Sequence, residues 1–219
     1  MGEGTVSLLP LLFPESFMNC ILLVKAEKSR RLDVVKALVP LGGKTLLAIM
    51  LGKALPLFRR ILLVTTDANR FRTYETANIS LVQDDLKCGP LGGIYTGLER
   101  SDSFFSFVLA TDLPFVGEDV LSRMMQRERT YDILVPETKN RIHPLCAIYA
   151  KTVLPCMKKN MAERKFKVMD LLDQANTVYL DETALNKEGE PEEMFFNLNT
   201  PRDWEYCRKR GRKQKGGGR

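Results

Sequence analysis

The stretch Phe105-Ser-Phe-Val-Leu-Ala-Thr-Asp-Leu-Pro-Phe115 is an apolar run of strand length that ends on a lone carboxylate, Asp112, and is stopped by Pro114. A parallel strand buried on both faces reads as a near-continuous apolar run, and in open α/β sheets ligands gather beyond the carboxyl ends of such strands. The stretch therefore predicts a buried parallel strand that offers Asp112 to a site. Taken alone, Asp112 fits two roles equally well: a turn-forming acid just after a strand, or an oxygen ligand for a divalent cation.

A second run weights the choice toward a site. Ile79-Ser-Leu-Val-Gln83 ends on Asp84-Asp85, continues into Gly89-Pro-Leu-Gly-Gly93, and leads to a helical stretch that closes near Arg100. Two strand ends thus deliver acids beside a glycine-rich turn. Glycine lets backbone approach a ligand closely, and the start of a helix offers unpaired N–H groups to anionic or carbonyl oxygens. A nucleotide site explains the combination more economically than an ordinary tight loop.

Working outward, strand-like and helical patterns alternate. Strands are expected at Cys20–Val24, Ile61–Thr66, Ile79–Gln83 and Phe105–Thr111, with helices near Thr45–Leu57, Leu91–Arg100 and Glu118–Arg127. This alternation predicts right-handed βαβ units and a Rossmann-like, mostly parallel, doubly wound sheet in a three-layer α/β/α arrangement. The second half is less regular: strands at Asp132–Pro136, Leu145–Ala150 and Thr177–Asp181, helices near Lys151–Ala162 and Val168–Ala175, a polar loop over Glu182–Glu193, and a final helix through Trp204. No internal repeat is visible.

The 219 residues suffice for one sizeable α/β core. The formal net charge is +6, but Arg208–Arg219 holds seven basic residues and no acid, so the rest of the chain is close to neutral. The expected organisation is an unstructured extension at 1–17, a single domain at 18–207 and a disordered basic tail at 208–219. The body carries no stripe of Lys and Arg with interleaved aromatics, which argues against a nucleic-acid partner. Leu8-Leu-Pro-Leu-Leu-Phe13 lacks a basic flank and is broken by Pro10, unlike a secretory segment, and no run approaches the roughly 20 apolar residues that span a bilayer. Five separated cysteines without a C-x-x-C pair speak against structural zinc and a disulfide framework, and point to a cytoplasmic location. With His143 the sole histidine, chemistry is left to carboxylates, lysines and backbone.

These residues also spell out a known pattern. From Asn19 the chain reads Cys20-Ile-Leu-Leu-Val-Lys-Ala-Glu-Lys-Ser-Arg-Arg-Leu-Asp-Val-Val-Lys-Ala-Leu-Val-Pro-Leu-Gly-Gly-Lys44. Then follow Thr66-Asp-Ala-Asn-Arg70, Asp84 before Gly89-Pro-Leu-Gly-Gly93, Thr111-Asp-Leu-Pro114, Ile142-His-Pro-Leu145 and Asn197-Leu-Asn-Thr-Pro201. In this order the motifs resemble the molybdenum cofactor guanylyltransferases, relatives of the sugar-nucleotide transferases, over roughly Asn19–Arg208.

The resemblance implies a nucleotide-diphospho-sugar transferase type of fold. It also implies transfer of GMP from GTP to the molybdopterin cofactor, giving the guanine dinucleotide cofactor and pyrophosphate. On this pattern Lys36 and Arg31 contact the triphosphate, Asp112 binds Mg²⁺, Val24, Lys25, Ala26 and Gly89 line the nucleotide, and Asp67 and Asp84 border the nucleoside. Asn197 and Asn199 fall on the pterin side, with His143 in a substrate-side or loop-shaping role. Molybdoenzyme apoproteins or their chaperones are further implied partners. The chain departs from the family where L-A-G-G is replaced by Val24-Lys-Ala-Glu27 and G-x-D by Asp33-Val-Val35, placing like charge and side chains in a phosphate loop. Three alternatives stay open beside GTP transfer: use of CTP, another acceptor, or a catalytically weak paralogue that binds cofactor or nucleotide.

Overall fold

In a computed structural model, described over residues 18–28, 34–139, 141–185 and 191–216, ten strands form in chain order. They are β1 (Asn19–Leu23), β2 (Pro40–Leu41), β3 (Lys44–Thr45), β4 (Ile61–Thr65), β5 (Ile79–Gln83), β6 (Phe105–Ala110), β7 (Ile133–Thr138), β8 (Arg141–Ile142), β9 (Cys146–Ala150) and β10 (Thr177–Leu180). The main sheet runs β10-β7-β9-β6-β1-β4-β5, with β8 paired to β7, while β2 and β3 form a separate hairpin. Pairings among β5, β4, β1 and β6 are all parallel, whereas β9 is antiparallel to both β6 and β7. The predicted mostly parallel sheet is correct, and the irregular second half is where the antiparallel strand enters.

The apolar runs are continuous because both sheet faces are covered. Along β1, Cys20 and Leu22 join one core while Ile21 joins the other, and in β6 Phe107 and Leu109 oppose Val108 in the same alternation. Helices Leu46–Ala54 and Glu118–Met125 cover the first face through Leu47, Met50, Val120 and Met124. Helices Gly89–Arg100, Leu154–Ala162 and Val168–Leu172 cover the second through Ile94, Leu98, Met157 and Leu171. The helix Gly89–Arg100 lies unusually close to the sheet: a Cβ on Gly97 would sit 2.5 Å from Ile21 Cγ2. Gly97, and Gly93 in the motif before it, whose Cβ would sit 3.0 Å from Leu23 Cδ2, thus serve helix-on-sheet packing.

Three segments differ from the sequence expectation. Glu182–Glu193 holds two short helices, Glu182–Leu185 and Pro191–Met194, instead of a loop. The Asp181 carboxylate accepts from Ala184 N at 2.9 Å, capping the first of them, and Leu185 and Met194 are buried. The helix expected from Lys151 opens as a 3-10 turn, Lys151–Val153, before Pro155 in the first turn of the α-helix. The last helix runs Pro201–Gly216, so backbone expected to be a disordered tail from Arg208 is helical to Gly216. A reciprocal cap starts it: Thr200 Oγ1 accepts from Asp203 N at 3.2 Å, and Asp203 Oδ2 accepts from Thr200 N at 2.6 Å. Arg210 continues the anchoring by lying 5.1 Å over the Phe115 ring and pairing with Glu193.

Candidate active site

The strand order turns the chain to opposite sides of β1, so the gap between the carboxyl ends of β1 and β6 is the switch point where open sheets bind ligands. Their last paired residues are Leu23 and Ala110. Immediately beyond, Val24 and Lys25 on one side and Thr111 and Asp112 on the other line a cavity of about 360 Å³. Asp84, Gly89, Pro90 and Gly93 close it from the β5 side, and Lys36 and Ala37 from the 3-10 turn Lys36–Leu38. The structure thus brings together Val24, Lys25, Lys36, Asp84, Gly89 and Asp112 of the expected residues.

Asp112 is held by its backbone, whose carbonyl accepts from Leu198 N at 2.9 Å, yet its Oδ1 is buried without a hydrogen-bond partner. Burial pushes the carboxyl pKa up, and the positive charges of Lys25, Lys36 and Arg141 work against that rise. Asn197 Oδ1 is likewise buried and unpartnered. Two neighbouring segments therefore present acceptor oxygens that the protein itself leaves unsatisfied, the condition expected where a ligand supplies the partner.

Lys36 Nζ donates to Asn199 Oδ1 at 2.7 Å and to the Leu198 carbonyl at 3.0 Å. This crosses 163 residues and ties the entry of the last helix to the β1 side of the cavity. Asp203 Oδ2 accepts from Asn199 N at 2.8 Å, fixing the same segment from behind. The carboxyl of Asp203 is partly buried, but hydrogen bonds from the Asn199 and Thr200 backbone, helped by Lys36, hold its pKa down.

Asp84 is buried, with Oδ1 accepting from Leu86 N at 3.1 Å and the Thr96 hydroxyl at 3.3 Å. Burial raises its pKa against those bonds. It therefore shapes the turn that leads to helix Gly89–Arg100. Gly89 adopts φ +61, a left-handed conformation that glycine takes without a Cβ penalty. No side chain caps this helix at Cys88, so its first backbone N–H groups remain available at the cavity rim.

The departing segment after β1 is internally satisfied. Glu27 accepts from the Thr66 hydroxyl at 2.9 Å, and the Ala26 carbonyl accepts from Arg70 at 2.8 Å. Asp67 accepts from Arg70 N at 3.3 Å, capping the 3-10 segment Ala68–Tyr74, and forms a 3.1 Å ion pair with Arg70 Nε. Neither Asp67 nor the buried Ala26 lines the cavity, although Glu27 reaches its edge. Arg31, with Ser29 and Asp33, lies outside the described residues. His143 also stands apart from the cavity, stacked on Phe195 at 4.2 Å with Nε2 3.1 Å from the Thr138 hydroxyl. Burial lowers its pKa to about 4, so it is neutral at ordinary pH and shapes the β7–β9 connection.

Sequence reasoning missed Thr66 and Lys87, which both line the cavity. Lys87 takes φ 53, a strained conformation for a residue with a Cβ and one that concentrates at functional sites. The glycine-rich motif directly after it could have drawn attention to its charge.

Comparison with known proteins agrees with this geometry. The MobA-like NTP transferase domain family matches residues 21–178. A probable molybdenum cofactor guanylyltransferase of Natranaerobius thermophilus is 30% identical over 186 residues, covering 83% of this chain and 90% of that protein. The crystal structure of molybdopterin-guanine dinucleotide biosynthesis protein A from Archaeoglobus fulgidus superposes with a TM-score of 0.76 at 26% identity, covering 90% of this chain and 100% of that one. A 4-diphosphocytidyl-2C-methyl-D-erythritolsynthase from Anaerococcus prevotii, 15% identical with a TM-score of 0.69 over 91% of this chain and 98% of that chain, shares the fold alone. A switch-point cavity edged by Asp112, Lys36 and an uncapped helix start, together with a family match over most of the chain, makes this protein a member of the MobA-like NTP transferase domain family.

Proposed function

We propose that the chain transfers GMP from GTP to the terminal phosphate of molybdopterin, giving molybdopterin guanine dinucleotide and pyrophosphate. The relatives named as molybdenum cofactor guanylyltransferases support the substrate pair. The single observation that carries the chemistry is the buried, unpartnered Asp112 Oδ1 beside Lys36 and Lys25.

In the reaction an oxygen of the acceptor phosphate attacks the α-phosphorus of GTP, the bond from that phosphorus to the oxygen bridging to the β-phosphate breaks, and pyrophosphate leaves with the bonding pair. No protein nucleophile is needed. Lys36 faces the charge that grows on the departing pyrophosphate, a role the family resemblance also implies for Arg31, and the N–H groups of Gly89 and Leu91 receive anionic or carbonyl oxygens of the nucleotide. Asp84 and Asp67 serve the nucleoside side, Asp84 directly at the cavity and Asp67 through Arg70 and the Ala26 carbonyl. Asn199, held by Lys36, and Asn197, with its open oxygen, face the acceptor. His143 keeps the neighbouring β7–β9 connection in shape.

Mg²⁺ fits the donors. Among the described residues no group of three or more His, Cys, Asp or Glu forms a ligand set, and Mg²⁺ is characteristically held by one or two carboxylates plus substrate phosphates rather than by a protein cage. Asp112 would be the protein ligand. The ion, when bound, neutralises phosphate charge and lowers the cost of the leaving group. Molybdoenzyme apoproteins or their chaperones are the proposed recipients of the product, and the cytoplasm the proposed location. Among the described residues no helix is long and apolar enough to cross a membrane.

Calorimetric titration with GTP, CTP and ATP in the presence of Mg²⁺, followed by product analysis with molybdopterin, tests the reading. GTP is expected to bind at least about tenfold tighter than CTP or ATP, a difference of ~1.4 kcal/mol. Preference for CTP would assign a different dinucleotide product, and no Mg²⁺-dependent binding would reduce the chain to a non-catalytic paralogue.

A further inference from the structure

The loop that carries Asp112 runs from Thr111 to Gly117, between β6 and helix Glu118–Met125. Its main chain is poor in internal bonds. Pro114 has no N–H to give, and the one turn bond within the segment joins Val116 N to the Leu113 carbonyl at 3.3 Å. The loop carbonyls instead find their partner on a different element. Lys53, in the last turn of helix Leu46–Ala54, extends its ammonium to the Pro114 carbonyl at 2.6 Å and the Val116 carbonyl at 2.8 Å, across 61 and 63 residues.

This arrangement is costly. Burial lowers the Lys53 pKa, with Glu118 and Asp119 opposing the shift, so an ammonium is kept in a poorly solvated place to hold two main-chain oxygens. The opposite side of the loop is held differently. Phe115 packs on Phe196 at 5.9 Å and Tyr206 at 6.1 Å, with Arg210 above its ring, and the Asp112 carbonyl accepts from Leu198 N. The aromatic contacts carry little directional restraint, whereas the charge-assisted hydrogen bonds to the alternate carbonyls of Pro114 and Val116 fix the height of the loop above the sheet. A carboxylate that must present an oxygen to a phosphate-bound ion tolerates little displacement, since misplacement of about 1 Å costs ~100-fold in rate.

We infer that Lys53 is a positioning residue for the transfer reaction, setting the Asp112 carboxylate by clamping the Pro114 and Val116 carbonyls two and four residues beyond it. The inference rests on the proposed function, in which Asp112 is the metal ligand. Lys53 does not touch substrate in this role. It acts through the loop.

The test compares Lys53→Met, which keeps the aliphatic length and removes the donors, with Lys53→Arg, which keeps the charge and two or more N–H groups. Mn²⁺ binding in the presence of GTP, followed by electron paramagnetic resonance, is read beside kcat, KM for GTP and melting temperature. For Lys53→Met the expected result is a Mn²⁺ affinity in the GTP complex about tenfold weaker and a kcat lowered to a similar degree, with KM for GTP changed less than threefold and with recovery in Lys53→Arg. Native Mn²⁺ affinity in a folded Lys53→Met protein overturns the inference while leaving the proposed function intact. If Lys53→Met does not fold, Lys53→Arg alone decides: native melting temperature with native metal affinity and kcat is expected, and native stability with weakened metal binding not accompanied by lower kcat overturns the clamp. A native protein that binds no Mn²⁺ with GTP overturns the metal assignment of the proposed function and this inference with it.

Discussion

The carboxyl ends of β6 and β1 lie side by side at one cavity, yet they treat their polar groups in opposite ways. Beyond β6, Asp112 is buried with an unsatisfied oxygen and a raised pKa, and its loop is held in place by bonds from Lys53 and Leu198 and by aromatic neighbours. Beyond β1, the Glu27 carboxylate accepts from the Thr66 hydroxyl and the Ala26 carbonyl from Arg70, and Lys25 and Glu27 are the charged groups of that segment at the cavity. The first end keeps a buried acceptor oxygen without a protein partner, at a cost in stability. The second end uses side-chain bonds to stabilise its own segment. Polar atoms left open inside a fold mark where chemistry is expected, and polar atoms closed on each other mark where shape is being kept.

The sharpest way to break this comparison is Asp112→Asn. Loss of guanylyl transfer of at least about 100-fold is expected, because a metal's charge stabilisation is worth several kcal/mol. The melting temperature should hold or rise, since the change removes a buried carboxylate that the protein leaves unpaired. Full Mg²⁺-dependent activity in steady-state assays would return Asp112 to the role of a turn former.

Lys36→Met is next in size. It removes a cation from the cavity and releases Asn199, so GTP affinity should drop about tenfold, ~1.4 kcal/mol, with GMP affinity dropping less. Calorimetry with both nucleotides checks it. Equal losses would put Lys36 at the α-phosphate or away from the nucleotide altogether.

On the β1 side the expected changes are smaller and of opposite sign. Glu27→Gly should tighten Mg·GTP about threefold to tenfold, ~1 kcal/mol, because it removes a like charge at the cavity edge. The Thr66 hydroxyl already draws that carboxylate aside, which keeps the gain modest. Looser binding in the variant would mean that Glu27 organises the loop productively.

The smallest effect concerns stability at His143. Its pKa is lowered from 6.5 to about 4 by burial, so the unfolded chain binds a proton that the folded chain refuses between those values. Stability should therefore be undiminished above pH 6.5 and fall as pH drops toward 4. His143→Gln, which can still bond the Thr138 hydroxyl, should flatten that part of a chemical-denaturation profile. An unchanged slope would assign the acid sensitivity to other groups.

The strands were legible because burial on both faces writes an unmistakable run: Phe107, Val108 and Leu109 need no partner in sequence to be recognised. Asp112 and Asp84 were legible for a related reason, since each sits where such a run stops, and Gly89 because it opens the helix that follows. Other features left no local trace. Leu185 and Met194 are too few and too scattered to announce two helices in a polar stretch. The last helix looked like a charged tail because its anchors, Phe115 and Glu193, lie elsewhere in the chain. Lys53 read as one more basic residue at the end of a helix, and Lys87 as loop, because their meaning depends on main-chain geometry that sequence does not state.

By itself the sequence determined that the chain is an α/β protein with acids at two strand ends and a helix start between them, because hydrophobic period and turn chemistry are local properties. Only the tertiary structure decided that Lys36 meets Asn199, that Lys53 holds the Asp112 loop and that Glu27 is drawn to Thr66. Those contacts join residues up to 163 positions apart, and their geometry follows from sheet order and strand register, which are fixed by packing across the whole core.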